Sequence, residues 1–295
     1  MILNVSGRTD IIAFYEKWFM NRLNAGFVDV RNPFNPNLVS RINFSDVDLI
    51  LFCTKNPIPI LNDLDKIKIP FIFHVTITPY KNDIEPNVIS KTEIINAVKK
   101  ISTIIGKDNI YIRYDPIFLS DKYNIDYHIK AFNKLCTLLK GYVNTIIVSF
   151  LDEYKNVLKN KNILKYRQFT ENEYKLIGEN FSNIARTNNM VVQTCFEDRN
   201  LTEYGFKKGE CLSHELAYKL TGKTYKSWKA RKERKCECVE MVDIGCYNSC
   251  KHFCKYCYAN YDEKMVNENF KNHDVNSSLL CGNLKKDDII KVRNK

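Results

Sequence analysis

Four cysteines stand within twelve positions of the segment CYNSCKHFCKYCYANY, which covers residues 246–261. The last three, Cys250, Cys254 and Cys257, have the spacing C-x3-C-x2-C. Three thiolates in one short loop can ligate three irons of a cubane and leave the fourth iron open to a non-protein ligand. The spacing therefore predicts an iron–sulfur site. Tyr256, just before the last cysteine, is placed to lie against a bound planar group.

Zinc is the alternative occupant of this loop, because closely spaced cysteines also bind zinc tetrahedrally. The three cysteines supply only three ligands, so a closed zinc site would need Cys246 or His252 as the fourth. Zinc sites are commonly built from paired C-x2-C units, and this loop has a single one. We therefore expect the iron–sulfur cluster, with Cys246 outside it.

A second group of cysteines lies outside this loop and consists of Cys195, Cys211, Cys236 and Cys238. Cys195 ends a strand-like run and Cys238 begins another, so the four are expected to converge near one rim of the fold. Thiolate ligands suit either an auxiliary [4Fe-4S] cluster or zinc. The auxiliary cluster is the preferred interpretation.

Short apolar runs of four to eight residues recur along the chain and end in polar residues, as expected for strands buried on both faces. Segments with helical spacing lie between them, at 11–23, 91–105, 126–140 and 171–186. This alternation predicts an α/β fold with mostly parallel strands in a (β/α) barrel, complete or partial, and an open doubly wound sheet as the alternative. Residues 27–44 are predicted as a small inserted hairpin.

Residues 1–200 are predicted to form the barrel body. Residues 201–295 form a cysteine-rich C-terminal region that adds the last strand and the cluster loop to the same structural unit. No apolar run reaches the roughly 20 residues that span a bilayer, and no signal peptide is visible. We therefore expect a soluble, cytoplasmic protein without a membrane partner, whose eleven cysteines include metal ligands.

The formal net charge of +11 makes nucleic acid a possible partner, because clustered Lys and Arg release counterions from phosphates. The one dense basic block is 226–235, and it includes Trp228, which is able to stack on a base. A zinc-stabilised, basic nucleic-acid-binding protein without redox chemistry is therefore the competing function. It is not the favoured one, because the other lysines are dispersed.

Polar side chains also stand at the ends of several predicted strands. A charged group there must be paired or line a cavity, because burying it alone is costly. Ligand contact and internal ion pairs, such as Arg113–Asp115 or Arg113–Glu197, both fit the pattern. The candidate residues are Lys55, Asn56, Arg113, Asp115, Ser149 and Glu197.

The segments SGRTD, TKNP, RYDPI and DIGCYNSCKHFCKYCYANY together resemble the DUF1848 family, over nearly the whole chain. Within the last segment, CKHFCKYC is similar to the cluster motif of radical SAM enzymes, which normally follows the first barrel strand. The resemblance implies that a [4Fe-4S] cluster on Cys250, Cys254 and Cys257 cleaves S-adenosylmethionine to a 5′-deoxyadenosyl radical, which attacks an unknown substrate. It also implies an electron donor such as flavodoxin or ferredoxin.

The late position of this motif predicts a circularly permuted barrel, in which the run VEMV lies beside the run ILNV. Radical SAM enzymes grip the methionine amine with a Gly-Gly-Glu-like segment, which is missing here, and SGRTD would take its place. The resemblance then assigns the ammonium to Asp10 and the carboxylate to Arg8, with Ser6 beside them. The alternative is that Thr9 or Asp10 caps the following helix. In the permuted barrel, Arg8 or Asp10 should lie within a ligand's length of Cys254.

Overall fold

The computed structural model describes residues 1–195, 197–228 and 237–293. Its larger sheet has eight strands in the order β10-β1-β4-β5-β6-β7-β8-β9, and all described pairs are parallel. A smaller sheet has the order β11-β3-β2. The strands are β1 (Ile2–Val5), β2 (Phe27–Arg31), β3 (Leu38–Asn43), β4 (Leu49–Thr54), β5 (Phe71–Thr76), β6 (Ile110–Ile117), β7 (Thr145–Phe150), β8 (Val191–Thr194), β9 (Lys207–Lys208), β10 (Met241–Asp243) and β11 (Ile289–Val292).

Helices alternate with the strands of the larger sheet. They are α1 (Ile11–Phe14), α2 (Glu16–Ala25), α3 (Lys91–Ile105), α4 (Ile125–Leu139), α5 (Lys155–Lys159), α6 (Lys161–Leu164), α7 (Glu171–Thr187), α8 (His214–Thr221) and α9 (Glu263–Lys271). Ser90 and Thr170 begin α3 and α7 as capping boxes with a glutamate three residues later, which satisfies backbone donors at both helix starts. The segment 11–23, predicted as one helix, is divided at Tyr15 into α1 and α2. Within the described residues, none of the helices is both long and apolar enough to cross a membrane.

Alternate residues of the parallel strands pack into two different apolar clusters. Leu3 and Phe52 belong to the cluster that the helices cover. Ile2, Leu49 and Ile147, together with side chains of the segments flanking β9 and β10, belong to a second cluster. Because strands far apart in the sheet share this second cluster, the sheet curves around it. The predicted α/β fold with a parallel sheet is confirmed.

The two edges of the curved sheet approach each other at a junction that we call the seam, formed by residues 209–212 and 238–239. Here the Val239 N–H donates to the Leu212 carbonyl at 3.2 Å. No strand ladder joins β9 to β10 among the described residues, so complete closure of the barrel stays a prediction. At the amino-terminal ends of the strands, the Lys223 ammonium after α8 pairs with Asp48, which precedes β4.

The predicted hairpin insertion is confirmed, since β2 and β3 pair antiparallel. The third strand of this sheet, β11, was not predicted and pairs parallel with β3. Arg31 holds Asp288 just before β11 with two hydrogen bonds, of 2.6 and 2.7 Å. The division into residues 1–200 and 201–295 stays a prediction.

His128 on α4 gives the fold a predicted sensitivity to acid. Its Nε2 lies 3.0 Å from the Phe118 carbonyl, so Nε2 carries the proton, and its Nδ1 accepts from the Tyr114 hydroxyl at 3.0 Å. Burial lowers the pKa of His128 to about 4. The unfolded chain takes up a proton near pH 6.5, so the folded state should lose about 3 kcal/mol of stability between pH 6.5 and 4.

Denaturant unfolding of the wild type and His128→Gln at several pH values measures this effect. The difference in free energy of unfolding between the two proteins should shrink as the pH falls from 7 to about 4. A difference that stays constant over this range would show that His128 does not titrate as expected.

Candidate functional site

A cavity of about 630 Å³ lies at the carboxyl ends of the strands, within the size range of small-molecule sites. It brings together residues from nine segments that are separated in sequence. Of the site residues predicted from the sequence, those lining the cavity are Ser6, Arg8, Asp10, Lys55, Arg113, Asp115, Ser149, Cys195, Glu197, Cys211, Cys250, Cys254, Tyr256 and Cys257. This is the edge at which parallel α/β proteins bind ligands.

Side-chain amides from outside the loop hold the backbone of residues 246–260, which we call the cluster loop. Asn87 donates to the Lys251 carbonyl at 2.7 Å, and Asn156 and Asn160 on and beside α5 donate to the carbonyls of Tyr258 and Lys255 at 2.9 and 2.7 Å. The Tyr15 hydroxyl, at the break between α1 and α2, donates to the Ser249 carbonyl at 2.6 Å. These hydrogen bonds within the protein hold the backbone of the loop in place.

The three thiols of the cluster loop line the cavity. Cys250, Cys254 and Cys257 are close enough to interact electrostatically, and none of them forms a disulfide. The Ala259 N–H donates to the Cys257 sulfur at 3.4 Å, the kind of bond that stabilises ligated sulfur. Burial raises the pKa of Cys254 to about 12, while the Lys55 ammonium opposes this rise. A cation beside a sulfur favours its thiolate form.

Lys55 reaches this position because a buried carboxylate holds it. Its ammonium lies 2.8 Å from Glu85 Oε1, and the Lys91 ammonium contacts the other oxygen of Glu85. Thr78 donates to Glu85 at 2.7 Å, and the Tyr256 hydroxyl also donates to it. Burial raises the pKa of Glu85, but the two ammonium groups lower it by more than burial raises it. The net shift of the pKa is downward, and the carboxylate is ionised. The group therefore keeps a net positive charge beside the cluster loop.

Asp10 connects strand β1 to the cluster loop. Its Oδ1 accepts from the Ala13 N–H at 3.1 Å, so it caps α1, which is the alternative that the sequence left open. Its Oδ2 accepts from the Lys55 N–H at 2.7 Å and lies 2.9 Å from His252 Nε2. Binding of a ligand ammonium by Asp10 stays a prediction, and it would compete with these three bonds.

Arg8 and Ser6 also make internal contacts. Arg8 pairs with Asp243 at the end of β10, and the Gly7 N–H donates to the same carboxylate at 2.6 Å. A Cβ on Gly7 would lie 2.8 Å from this carboxylate, so the contact requires glycine. The Ser6 hydroxyl accepts from the Ile11 N–H at 2.9 Å. These contacts fasten β1 to β10, which pair side by side as predicted.

The remaining predicted residues divide between the cavity and a turn. Arg113 pairs with Asp115, with its Nε 2.9 Å from Oδ2, and the Ser149 hydroxyl donates to the same carboxylate. Glu197 accepts from the Phe150 N–H at 2.7 Å. Asn56 does not line the cavity; its side chain accepts from the Ile58 N–H at 3.2 Å and stabilises the turn after β4.

Three of the four cysteines of the second group converge. The sulfurs of Cys195, Cys211 and Cys238 all lie within 4.8 Å of one another, and each residue is buried. This group is compatible with a bound metal. The fourth, Cys236, and most of the basic block, from residue 229 to 235, lie outside the described residues.

Sequence reasoning missed Glu85, His252 as a partner of Asp10, and Asp243. Glu85 lies in a loop with no periodic pattern, between Asn82 and Pro86, so no local signal marks it. Asp243 ends β10, just as the predicted site residues end other strands. The rule that polar residues at strand ends are site candidates would therefore have found it.

Taken together, these features define an α/β protein with a thiol-lined cavity at the carboxyl edge of a parallel sheet. Residues 2–259 match the model of a family described as a domain of unknown function, DUF1848. The chain therefore belongs to the DUF1848 family, and the match includes all three cysteines of the cluster loop. No curated protein matches the chain at a significant level.

Proposed function

We propose that this protein is a radical SAM-type enzyme, in which Cys250, Cys254 and Cys257 hold a [4Fe-4S] cluster. The observation that carries the proposal is that these thiols line one cavity with polar residues from six strand ends. When bound, the cluster would supply the electron that cleaves S-adenosylmethionine to a 5′-deoxyadenosyl radical. The substrate is unknown, and a flavodoxin or ferredoxin would supply the electron.

The residues of the chain would hold, orient and shield these groups. The Lys55 ammonium would offset the charge of the cluster beside Cys254. Tyr256 lines the same cavity and is a candidate to contact the adenine or sulfonium. Arg113 and Asp115 offer a cation and a carboxylate as one unit to the polar part of the substrate. The cavity walls would keep water and oxygen from the radical.

The position of the cluster loop fits a permuted radical SAM barrel. The loop follows β10, and β10 lies beside β1 in the sheet. In the proposed arrangement β10 takes the place of the first strand of a radical SAM barrel. The segment SGRTD at the end of β1 lines the same cavity. The contact between Asp10 and His252 supports this, because His252 is two residues from Cys254.

Formation of 5′-deoxyadenosine tests the proposal. Protein reconstituted anaerobically with iron and sulfide, then given S-adenosylmethionine and dithionite, should release 5′-deoxyadenosine and methionine, measured by mass spectrometry. Protein that holds about four irons per chain but releases neither product would overturn the assignment. Zinc in place of iron at the cluster loop, with salt-sensitive nucleic-acid binding, would favour the alternative function.

A further inference from the structure

We propose that Cys195, Cys211 and Cys238 bind one tetrahedral metal ion of the zinc type, separate from the cluster loop. The three residues are 3%, 6% and 0% exposed. They come from different segments: Cys195 directly follows β8, Cys211 follows β9, and Cys238 precedes β10. The cysteines of the cluster loop are not part of this group.

The spacing of the sulfurs selects a single ion over a cubane. Zinc–sulfur bonds of about 2.3 Å at the tetrahedral angle place two thiolate sulfurs about 3.8 Å apart. The Cys195 and Cys238 sulfurs are 3.9 Å apart, and those of Cys211 and Cys238 are 3.1 Å apart. A cubane binds each thiolate to a different iron and so holds the sulfurs further apart. On this spacing we favour zinc over the auxiliary cluster that the sequence analysis preferred.

Simple packing of neutral thiols explains the group less well. Buried cysteines usually act as small hydrophobes, but here three of them from different segments bring their sulfurs to within 4.8 Å of one another. The Cys211 N–H also points at the Cys238 sulfur, at 3.2 Å. The Arg113 guanidinium interacts electrostatically with Cys195 and Cys211. Both features stabilise thiolates, the form that binds metal.

The ion would join the two edges of the parallel sheet at the seam. β9 is only two residues long and pairs with β8 through Gln193 and Thr194. Across the seam, the described residues form one backbone hydrogen bond, between Val239 and Leu212. Bonds from one ion to all three cysteines would tie β8 and β9 to the start of β10. They would thereby fix the strand that leads into the cluster loop.

Metal analysis of a variant without the cluster tests this site. In the triple variant Cys250→Ala, Cys254→Ala, Cys257→Ala, purified without oxygen from cells supplied with both metals, we expect about one zinc per chain and no stoichiometric iron. Adding Cys238→Ala should remove that zinc and lower the melting temperature. Adding Cys136→Ala, a fully buried cysteine of α4, should leave the zinc in place.

Wild-type protein provides a second measurement that does not depend on folding of the variants. It should contain about one zinc per chain, and cobalt in its place should give thiolate-to-cobalt charge-transfer bands. Iron with sulfide in the triple variant, or neither metal in either protein, would overturn the proposal. The zinc content is measured without S-adenosylmethionine turnover. The zinc site can therefore be confirmed or rejected whether or not the radical SAM proposal holds.

Discussion

Alanine at Cys250, Cys254 or Cys257 should reduce the formation of 5′-deoxyadenosine by at least about 100-fold, because even a residue that only supports a metal ligand contributes about 10- to 100-fold. Each substitution would remove one of the three thiolates that hold the cluster in the proposed function. We expect the iron content to fall with the activity. The measurement is iron per chain together with product formed over one hour.

Cys246→Ala is the matched control for these variants. Cys246 lies in the same loop, four residues before Cys250, but it does not line the cavity. Its thiol contacts the Tyr247 carbonyl at 3.4 Å and interacts with Cys281. Activity close to wild type in Cys246→Ala is expected. Full activity in any of the three cluster variants would show that the cysteines are not the ligands.

Glu85→Gln should lower the free energy of unfolding by about 3–5 kcal/mol, the cost of removing one partner from a buried ion pair. Glu85 is 1% exposed and neutralises the ammonium groups of Lys55 and Lys91. The amide keeps the shape but not the charge, so the two partly buried ammonium groups lose the carboxylate between them. Denaturant unfolding at pH 7 measures the change.

Glu179→Gln serves as the comparison, because Glu179 pairs with Lys175 at 3.9 Å on the exposed surface of α7. Pairs of this kind contribute at most about 1 kcal/mol. A loss in Glu85→Gln no larger than in Glu179→Gln would mean that water reaches the buried group. Glu85→Gln should also weaken cluster binding, because Lys55 would lose the carboxylate that orients it.

The regular elements were predictable where local signals and burial agree. α3 and α7 combine an apolar stripe with a capping box, and their predicted bounds differ from the structure by at most one residue. β7 follows one of the short apolar runs, because its first four residues, 145–148, are all β-branched. By contrast, β9 consists of two exposed lysines and carries no apolar signal.

The contacts within the site were less predictable, because they depend on tertiary structure. The sequence located Lys55 and Tyr256, but their shared partner Glu85 comes from a loop without a pattern. Asp10 was predicted both as a ligand residue and as a helix cap, and only the fold places His252 against it. The convergence of Cys195, Cys211 and Cys238 was predicted, whereas the spacing that favours one ion over a cluster required coordinates.

The pairing of β1 with β10 has a consequence for synthesis on the ribosome. Arg8 and Asp243, which join the ends of these strands, are 235 positions apart in sequence. At a rate of synthesis of about 5–20 residues per second, roughly 10 to 50 s pass between the synthesis of β1 and that of its partner β10. During that time the strand presents unpaired backbone groups to other chains. The cluster loop emerges after β10, so any metal on it is bound only after both β1 and β10 have been synthesised.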